Sequence, residues 1–65
     1  MTPGEILRKA LEKETEARDF YGDLANRCSV DFLKEMLIML QNEEGKHIAI
    51  IRKMLAKLNS GQSPI

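Results

Sequence analysis

Two stripes of mostly apolar residues run along this chain, and each follows the alternating three- and four-residue steps of a packed helix. Neither segment shows the period-two alternation or the tight turn that predicts paired β-strands. The pattern therefore predicts an all-α chain with two helices. The stripe positions are Leu7, Ala10, Glu14, Ala17, Tyr21, Leu24 and Cys28 on the first helix, and Leu33, Leu37, Leu40, Glu44, His47, Ile51, Met54 and Leu58 on the second.

Capping residues mark where the helices begin and end. Thr2 and Glu5 have the spacing of a capping box, and Pro3 between them suits the first helical position. Ser29 is expected to cap the second helix, and Asn59-Ser60-Gly61 to end it. The chain is predicted to be one domain over residues 1–65, with a helix over about 3–27, a turn over about 27–29, a helix over about 30–58 and a tail over 59–65.

The two helices are expected to form a hairpin that self-associates. A short connection makes consecutive helices antiparallel neighbours. The second helix is apolar on most sides, as residues 37–40 and 48–51 show, and a single neighbouring helix cannot cover all of them. We therefore expect the hairpin to dimerise about a twofold axis into a four-helix bundle, giving a homo-oligomer that is a dimer or a multiple of dimers.

Three polar residues interrupt the apolar stripes, and the hairpin brings them to one level. Glu14 lies about 15 residues before the turn and Glu44 about 15 residues after it. Because a helix rises ~1.5 Å per residue, both lie at the same height along the hairpin. His47 follows Glu44 by three positions and projects from the same face. An unpaired carboxylate in such a stripe costs several kcal/mol of desolvation. A metal ion is the natural partner of two carboxylates and an imidazole. The alternative is a polar residue that only sets the register of helix packing, as single polar residues do in coiled coils.

Twofold docking doubles this set to four Glu and two His, enough to hold two metal ions. It is the arrangement of carboxylate-bridged di-iron bundles, in which two helices each give one Glu and two give Glu-x-x-His. Four carboxylates balance the charge of two divalent ions. Oxygen ligands with imidazole favour iron or manganese, although zinc is a possible substitute. The sequence thus predicts two Fe ions per pair of subunits, with Mn or Zn as alternatives.

At these residues the chain resembles the ferritin-like superfamily. The segment Glu14-Thr15-Glu16-Ala17-Arg18-Asp19-Phe20-Tyr21 is similar to the first-helix motif of rubrerythrins, and Asn42-Glu43-Glu44-Gly45-Lys46-His47 to the second. The resemblance covers about residues 5 to 58. Encapsulated ferritins, which are two-helix members, build their ferroxidase centre between subunits and carry extra carboxylates where iron is taken up. The resemblance implies that Glu16 is such a carboxylate and that Lys13 replaces another. Tyr21, two turns from Glu14 on the same stripe, is a candidate for a hydrogen bond or a radical relay beside the metal ligands, and the alternative is an aromatic core residue with a hydrogen-bonded hydroxyl.

The resemblance implies a non-haem di-iron protein that oxidises Fe(II) with oxygen or peroxide, in ferroxidase, peroxide-scavenging or iron-storage chemistry. The rival interpretation is a non-catalytic helical module in which the metal is a structural staple. Encapsulated ferritins also carry a further C-terminal helix and a targeting peptide. The short tail is not expected to supply them, which argues against delivery into an encapsulin shell.

Composition narrows the other possibilities. Ten basic and ten acidic residues balance, so no nucleic-acid partner is expected. The longest apolar run, residues 36–40, is too short to cross a membrane, and no signal peptide is expected at the N-terminus. The single Cys28 excludes an internal disulfide and predicts a reducing, cytoplasmic compartment, with an encapsulin compartment as the alternative. Cys28 itself is expected to be a small residue near the turn rather than a ligand.

Overall fold

The structure, a computed structural model, describes residues 1–60. Within them the chain is a hairpin of two α-helices, α1 over Pro3–Arg27 and α2 over Asp31–Ser60. The capping box predicted at the start of α1 is present. The Thr2 backbone N–H donates to the Glu5 carboxylate at 2.9 Å, and the Glu5 N–H donates to the Thr2 hydroxyl at 3.1 Å. No helix in this part of the chain is long and apolar enough to span a membrane.

The ends of α2 differ from the sequence prediction. The first backbone bond of α2 runs from the Lys34 N–H to the Val30 carbonyl, which puts Val30 rather than Ser29 at the capping position. At the other end α2 continues through Ser60, two residues past the predicted end, and the Ser60 hydroxyl donates to the Ala56 carbonyl at 2.9 Å. The rest of the predicted tail, residues 61–65, lies outside the described residues.

The contact between α1 and α2 is narrow. Ala25 and Ile48 are the buried hydrophobic side chains of the described residues, each only 3% exposed. Gly22 adds a close approach, since a Cβ at this position would collide with the Gln41 side-chain amide. The residues of α2 that pack against α1 lie slightly around the helix from the stripe that the sequence predicted. It omitted Ile48, which is buried, and it included Leu40 and Met54, which are 37% and 41% exposed.

The two sides of the hairpin differ in polarity. At 100° per residue, most of the exposed large apolar side chains fall on one side of the α1–α2 contact, and the charged and amide side chains fall on the other. Because the helices are antiparallel, the apolar flanks of α1 and α2 lie on the same side of the hairpin. We call this side the open face, and its apolar members are Ile6, Phe20, Phe32, Met36, Met39, Leu40, Ile50 and Met54.

Candidate metal centre

Glu14, Glu44 and His47 meet halfway along the hairpin. The His47 Nδ1 lies 2.8 Å from Glu14 Oε2 across the helix contact and 3.1 Å from Glu44 Oε1 on its own helix. Carboxylate oxygens only accept hydrogen bonds, so the Nδ1–H donates to both. One ligand atom from each of the three residues lies within 4.8 Å of the others. The residues that the sequence placed at one level therefore form a single cluster, which we call the carboxylate–histidine cluster.

Helix geometry explains why these three side chains converge. Glu44 and His47 are three residues apart and so project from neighbouring positions of α2. Glu14 faces them from α1 because the antiparallel hairpin puts the middle of α1 beside the middle of α2. The spacing of Glu14, Glu44 and His47 along the chain, together with the short turn, was sufficient to predict this meeting.

The cluster is graded in exposure. The side chain of Glu44 is 17% exposed, that of Glu14 is 29% exposed and that of His47 is 50% exposed. The hydrogen bond to Glu44 is the largest influence that raises the pKa of His47, and Glu14 adds to it while partial desolvation opposes it. The imidazole lies at the edge of the open face, so the cluster is accessible from the side on which the apolar residues are exposed.

Nearby lysines do not neutralise the cluster carboxylates. Lys13 pairs with Glu16 at 3.5 Å, and Lys46 pairs with Glu43 at the same distance. Among the described residues, the ion-pair partner of Glu14 and of Glu44 is His47 alone. Two carboxylates therefore share one imidazole, which leaves the cluster with an excess of negative charge.

The other residues singled out from the sequence lie outside the cluster. Glu16 is exposed and paired with Lys13, so the structure places it beside the cluster rather than in it. Tyr21 is half-buried and packs against Phe20 with ring centroids 5.6 Å apart. Among the described residues its hydroxyl makes no hydrogen bond to the cluster. The Cys28 thiol donates to the Val30 carbonyl at 3.6 Å, beside the turn.

The donor set of the cluster suits a divalent metal ion. Two carboxylates and one imidazole are hard and borderline ligands of the kind that iron and manganese accept. The Nδ1–H group of His47 faces both carboxylates, with Nδ1 2.8 Å from Glu14 Oε2 and 3.1 Å from Glu44 Oε1. A cation bound to the same three atoms would replace that proton and cancel the excess negative charge. The residues present therefore fit the metal that the sequence predicts.

Two antiparallel helices with a Glu on the first and Glu-x-x-His on the second define a ferritin-like half-bundle with a carboxylate–histidine site. The family model described as Rubrerythrin matches residues 5–65, nearly the whole chain. The chain belongs to the rubrerythrin family of the ferritin-like superfamily, a family that typically binds iron. No curated protein and no solved structure gives a significant match to the chain.

Proposed function

We propose that two copies of this chain dock through their open faces and share a di-iron centre that oxidises Fe(II). The observation that carries the proposal is the carboxylate–histidine cluster in a chain of the rubrerythrin family. The ligands in each chain are Glu14, Glu44 and His47. Two chains together supply four carboxylates and two imidazoles for two irons.

The position of the cluster supports a site that is shared between chains. Three ligand atoms from one hairpin leave coordination positions open on iron, and His47 is exposed on the side where the apolar residues are also exposed. A second hairpin docked on the open face covers both. It removes large apolar side chains from water, which is the main driving force for association. It also brings a second copy of the cluster against the first.

The proposed chemistry is a two-electron reduction of an O–O bond. Two Fe(II) ions, as substrate, each lose one electron to become Fe(III). Dioxygen takes up the two electrons with two protons and becomes hydrogen peroxide. With hydrogen peroxide as the oxidant, the two electrons and two protons are taken up by peroxide, its O–O bond breaks and two water molecules form. Adjacent irons suit this reaction because both electrons are available at one place.

The side chains of the cluster have distinct roles in this proposal. Glu44, the least exposed of the three, would hold iron together with Glu14 and His47, and the carboxylates would supply the negative charge that stabilises the bound cations. The His47 Nδ1 must be free of its proton to bind a cation, so iron binding would release a proton where the imidazole is charged. The open face excludes water from the site once it is covered by the second chain.

The test is anaerobic loading of the purified metal-free protein with Fe(II), followed by exposure to oxygen. We expect about two irons per pair of chains, oxygen consumption with repeated additions of Fe(II), and a dimer in solution. Glu14→Gln and Glu44→Gln should abolish paired binding and oxidation, and His47→Ala should impair both severely. Glu12→Gln is the matched control for Glu14→Gln, because Glu12 is an exposed carboxylate on the same helix, α1. A 7.4 kDa monomer with full activity would overturn the shared site.

The structural-staple interpretation has its own support in the small core. Only Ala25 and Ile48 are buried hydrophobic residues in the described hairpin, and small scaffolds often depend on a metal for stability. The same experiment separates the two functions. A staple binds metal and raises the melting temperature without repeated consumption of oxygen, whereas a ferroxidase consumes oxygen with each addition of Fe(II).

A further inference from the structure

Two ion pairs flank the carboxylate–histidine cluster in the same way on the two helices. On α1, Lys13 Nζ lies 3.5 Å from Glu16 Oε1, and Glu14 lies between these residues in sequence. On α2, Lys46 Nζ lies 3.5 Å from Glu43 Oε1, and Glu44 lies between them. At 100° per residue, Lys13 and Glu43 fall on the open face, and Glu16 and Lys46 fall at or just beyond its outer border. These charges would lie along the flanks of a docked second chain.

Two kinds of twofold axis can join the open faces of two hairpins into an antiparallel bundle. An axis parallel to the helices puts α1 beside the partner's α2. An axis perpendicular to the helices puts α1 beside the partner's α1 and α2 beside the partner's α2. The parallel axis always brings the two clusters to the same height along the bundle. The perpendicular axis does so when it passes through the height of the cluster. The flanking charges distinguish these arrangements.

With the parallel axis, residues keep their level along the bundle. The contact of Glu14 with Glu44 and His47 fixes which residues of α1 and α2 are level. Lys13 then lies beside the partner's Lys46, and Glu16 lies beside the partner's Glu43. Like charges meet at every one of these positions, which is unfavourable.

With the perpendicular axis, levels are reversed about the cluster. Lys13 then meets the partner's Glu16, and Glu43 meets the partner's Lys46. Opposite charges meet at each position, because each ion pair has its midpoint beside Glu14 or Glu44, at the level of the axis. Charges at the flanks of a helix interface fix orientation and register in this way.

The apolar side chains of the open face also fit the perpendicular axis. Ala10 comes opposite the partner's Phe20, which pairs a small side chain with a large one. Away from the axis on α2, Met36 comes opposite the partner's Met54, and Leu40 comes opposite the partner's Ile50. Apolar residues therefore face apolar residues on both sides of the cluster.

We propose that a second copy of this chain docks on the open face about a twofold axis perpendicular to the helices, with the two flanking ion pairs exchanged between subunits. In the docked state Lys13 pairs with the partner's Glu16, and Glu43 pairs with the partner's Lys46. This inference rests on the dimer in the proposed function and adds to it the ion pairs between subunits and the register that they specify.

Mixing charge-reversal variants tests the exchange. Lys13→Glu alone gives α1 two acidic residues, and Glu16→Lys alone gives it two basic ones. Each variant should dimerise on the order of tenfold more weakly than the original chain at low salt, because two symmetric pairs become repulsive. A mixture of the two should form heterodimers in which both intersubunit pairs are attractive. Native mass spectrometry should show heterodimers well above the one-half expected for random pairing. Glu43→Lys mixed with Lys46→Glu is the corresponding experiment on α2.

The design separates exchange between chains from pairing within a helix. Each mixed chain still has like charges at its own two positions, so a pair that acts only within one helix predicts no preference for heterodimers. Random pairing would therefore overturn the proposal. A tighter Lys13→Glu homodimer would also overturn it, since the parallel axis predicts this by bringing the new Glu beside the partner's Lys46. Circular dichroism on each variant checks that the helices are retained.

The measurements are made on metal-free protein, so they do not depend on iron oxidation. Dimers without heterodimer preference would reject the register and leave the proposed function standing. A monomer at all concentrations would reject the shared site itself. A heterodimer preference without iron oxidation would support the docking and reject the ferroxidase activity.

Discussion

The two sides of the hairpin present very different surfaces to water. One side carries charged and amide side chains such as Asp19, Lys34 and Gln41, with Ile38 as its exposed large apolar residue. The open face carries aromatic, methionine and isoleucine side chains, some of them more than half exposed, as for Phe20 and Ile50 at 57% each. Both sides belong to the same two helices, so helix formation alone does not explain the difference.

The difference indicates that each helix has two apolar stripes with separate purposes. One stripe holds α1 against α2 and is complete within a single chain, around Ala25 and Ile48. The other lies on the open face, and we propose that a second chain covers it. Large apolar side chains exposed together on one side of a small protein are typical of an interaction site. The cluster lies where the two stripes adjoin, which is why we assign it to the interface between chains.

The largest expected effect comes from a charge placed on the open face, which tests whether this face differs from the polar side in forming the dimer. Ile50→Asp should weaken dimerisation by about a hundredfold or more, because the new carboxylate would lose its hydration at the interface. Ile38→Asp is the matched control, since Ile38 is also an exposed isoleucine of α2 but lies on the polar side. Sedimentation velocity over a range of protein concentrations measures both variants.

Equal weakening of the dimer by Ile50→Asp and Ile38→Asp would contradict the distinction between the two sides. The helix content of both variants should be close to that of the original chain at high protein concentration. Loss of helix in Ile38→Asp alone would show that the polar side contributes to a contact that the hairpin does not display.

Metal binding at the carboxylate–histidine cluster should stabilise the folded protein. In the proposed metal-free dimer, four carboxylates would come together and repel one another, and a metal that binds only the folded state stabilises it by mass action. Fe(II), Mn(II) or Zn(II) should therefore raise the melting temperature by several degrees, as followed by circular dichroism. Glu44→Gln should lose this increase, although its metal-free melting temperature can exceed that of the original chain because a repelling charge has been removed.

Identical melting curves with and without metal, together with no metal retained after dialysis, would contradict the metal site. That outcome would favour Glu14 as a polar residue that only sets the register of packing. Glu12→Gln should retain the full increase, because its exposed carboxylate lies away from the cluster.

The sequence was sufficient to predict the helices and the meeting of the cluster residues. Both depend on spacing, and the helix repeat and a short turn place Glu14, Glu44 and His47 together without any detailed packing. The direction of packing was less predictable. The predicted stripe on α2 ran between the two observed stripes, because Leu37 faces α1 whereas Met54 belongs to the open face. A heptad pattern cannot separate two adjacent apolar stripes when both need to be covered.

The helix α2 continues through Ser60, two residues past the predicted end at about residue 58. Ser60 lies next to Gly61, a typical helix terminator, so the sequence predicted an earlier end. In the structure the Ser60 hydroxyl bonds to the Ala56 carbonyl, a bond between residues four apart that is compatible with the helix continuing. The start was missed because Ser29 is a better intrinsic cap than Val30, yet the backbone bond of Lys34 begins at Val30.

The cluster should also respond to pH in a direction set by His47. Its pKa is raised above the usual 6.5, chiefly by the hydrogen bond to Glu44. A raised pKa means that the charged imidazole stabilises the folded metal-free protein below the unfolded pKa, and that this contribution is lost as the pH rises through the folded pKa. Metal binding has the opposite dependence, since protons compete with the metal and affinity falls as the pH drops through the same range.

The single histidine makes this pH dependence simple to measure by NMR. The imidazole C–H resonances of the metal-free protein should titrate above 6.5, and Glu44→Gln should lower the midpoint by removing the main hydrogen-bond acceptor. An unchanged midpoint in Glu44→Gln would show that the contact with Glu44 does not control protonation. Glu12→Gln should leave the midpoint unchanged.

The smallest expected effect concerns two glycines in the helices. Gly45 lies between the cluster residues of α2 on the polar side, and a Cβ there would have no atom within 4 Å. Gly45→Ala should therefore raise the free energy of unfolding by roughly 0.5–1 kcal/mol, because alanine loses less backbone entropy in a helix. Gly22→Ala should gain less, since its Cβ would require the Gln41 side chain to move. Urea denaturation at a fixed protein concentration compares the two. A destabilised Gly45→Ala with an intact dimer would show that something packs against the polar side, and would remove the contrast between the two faces.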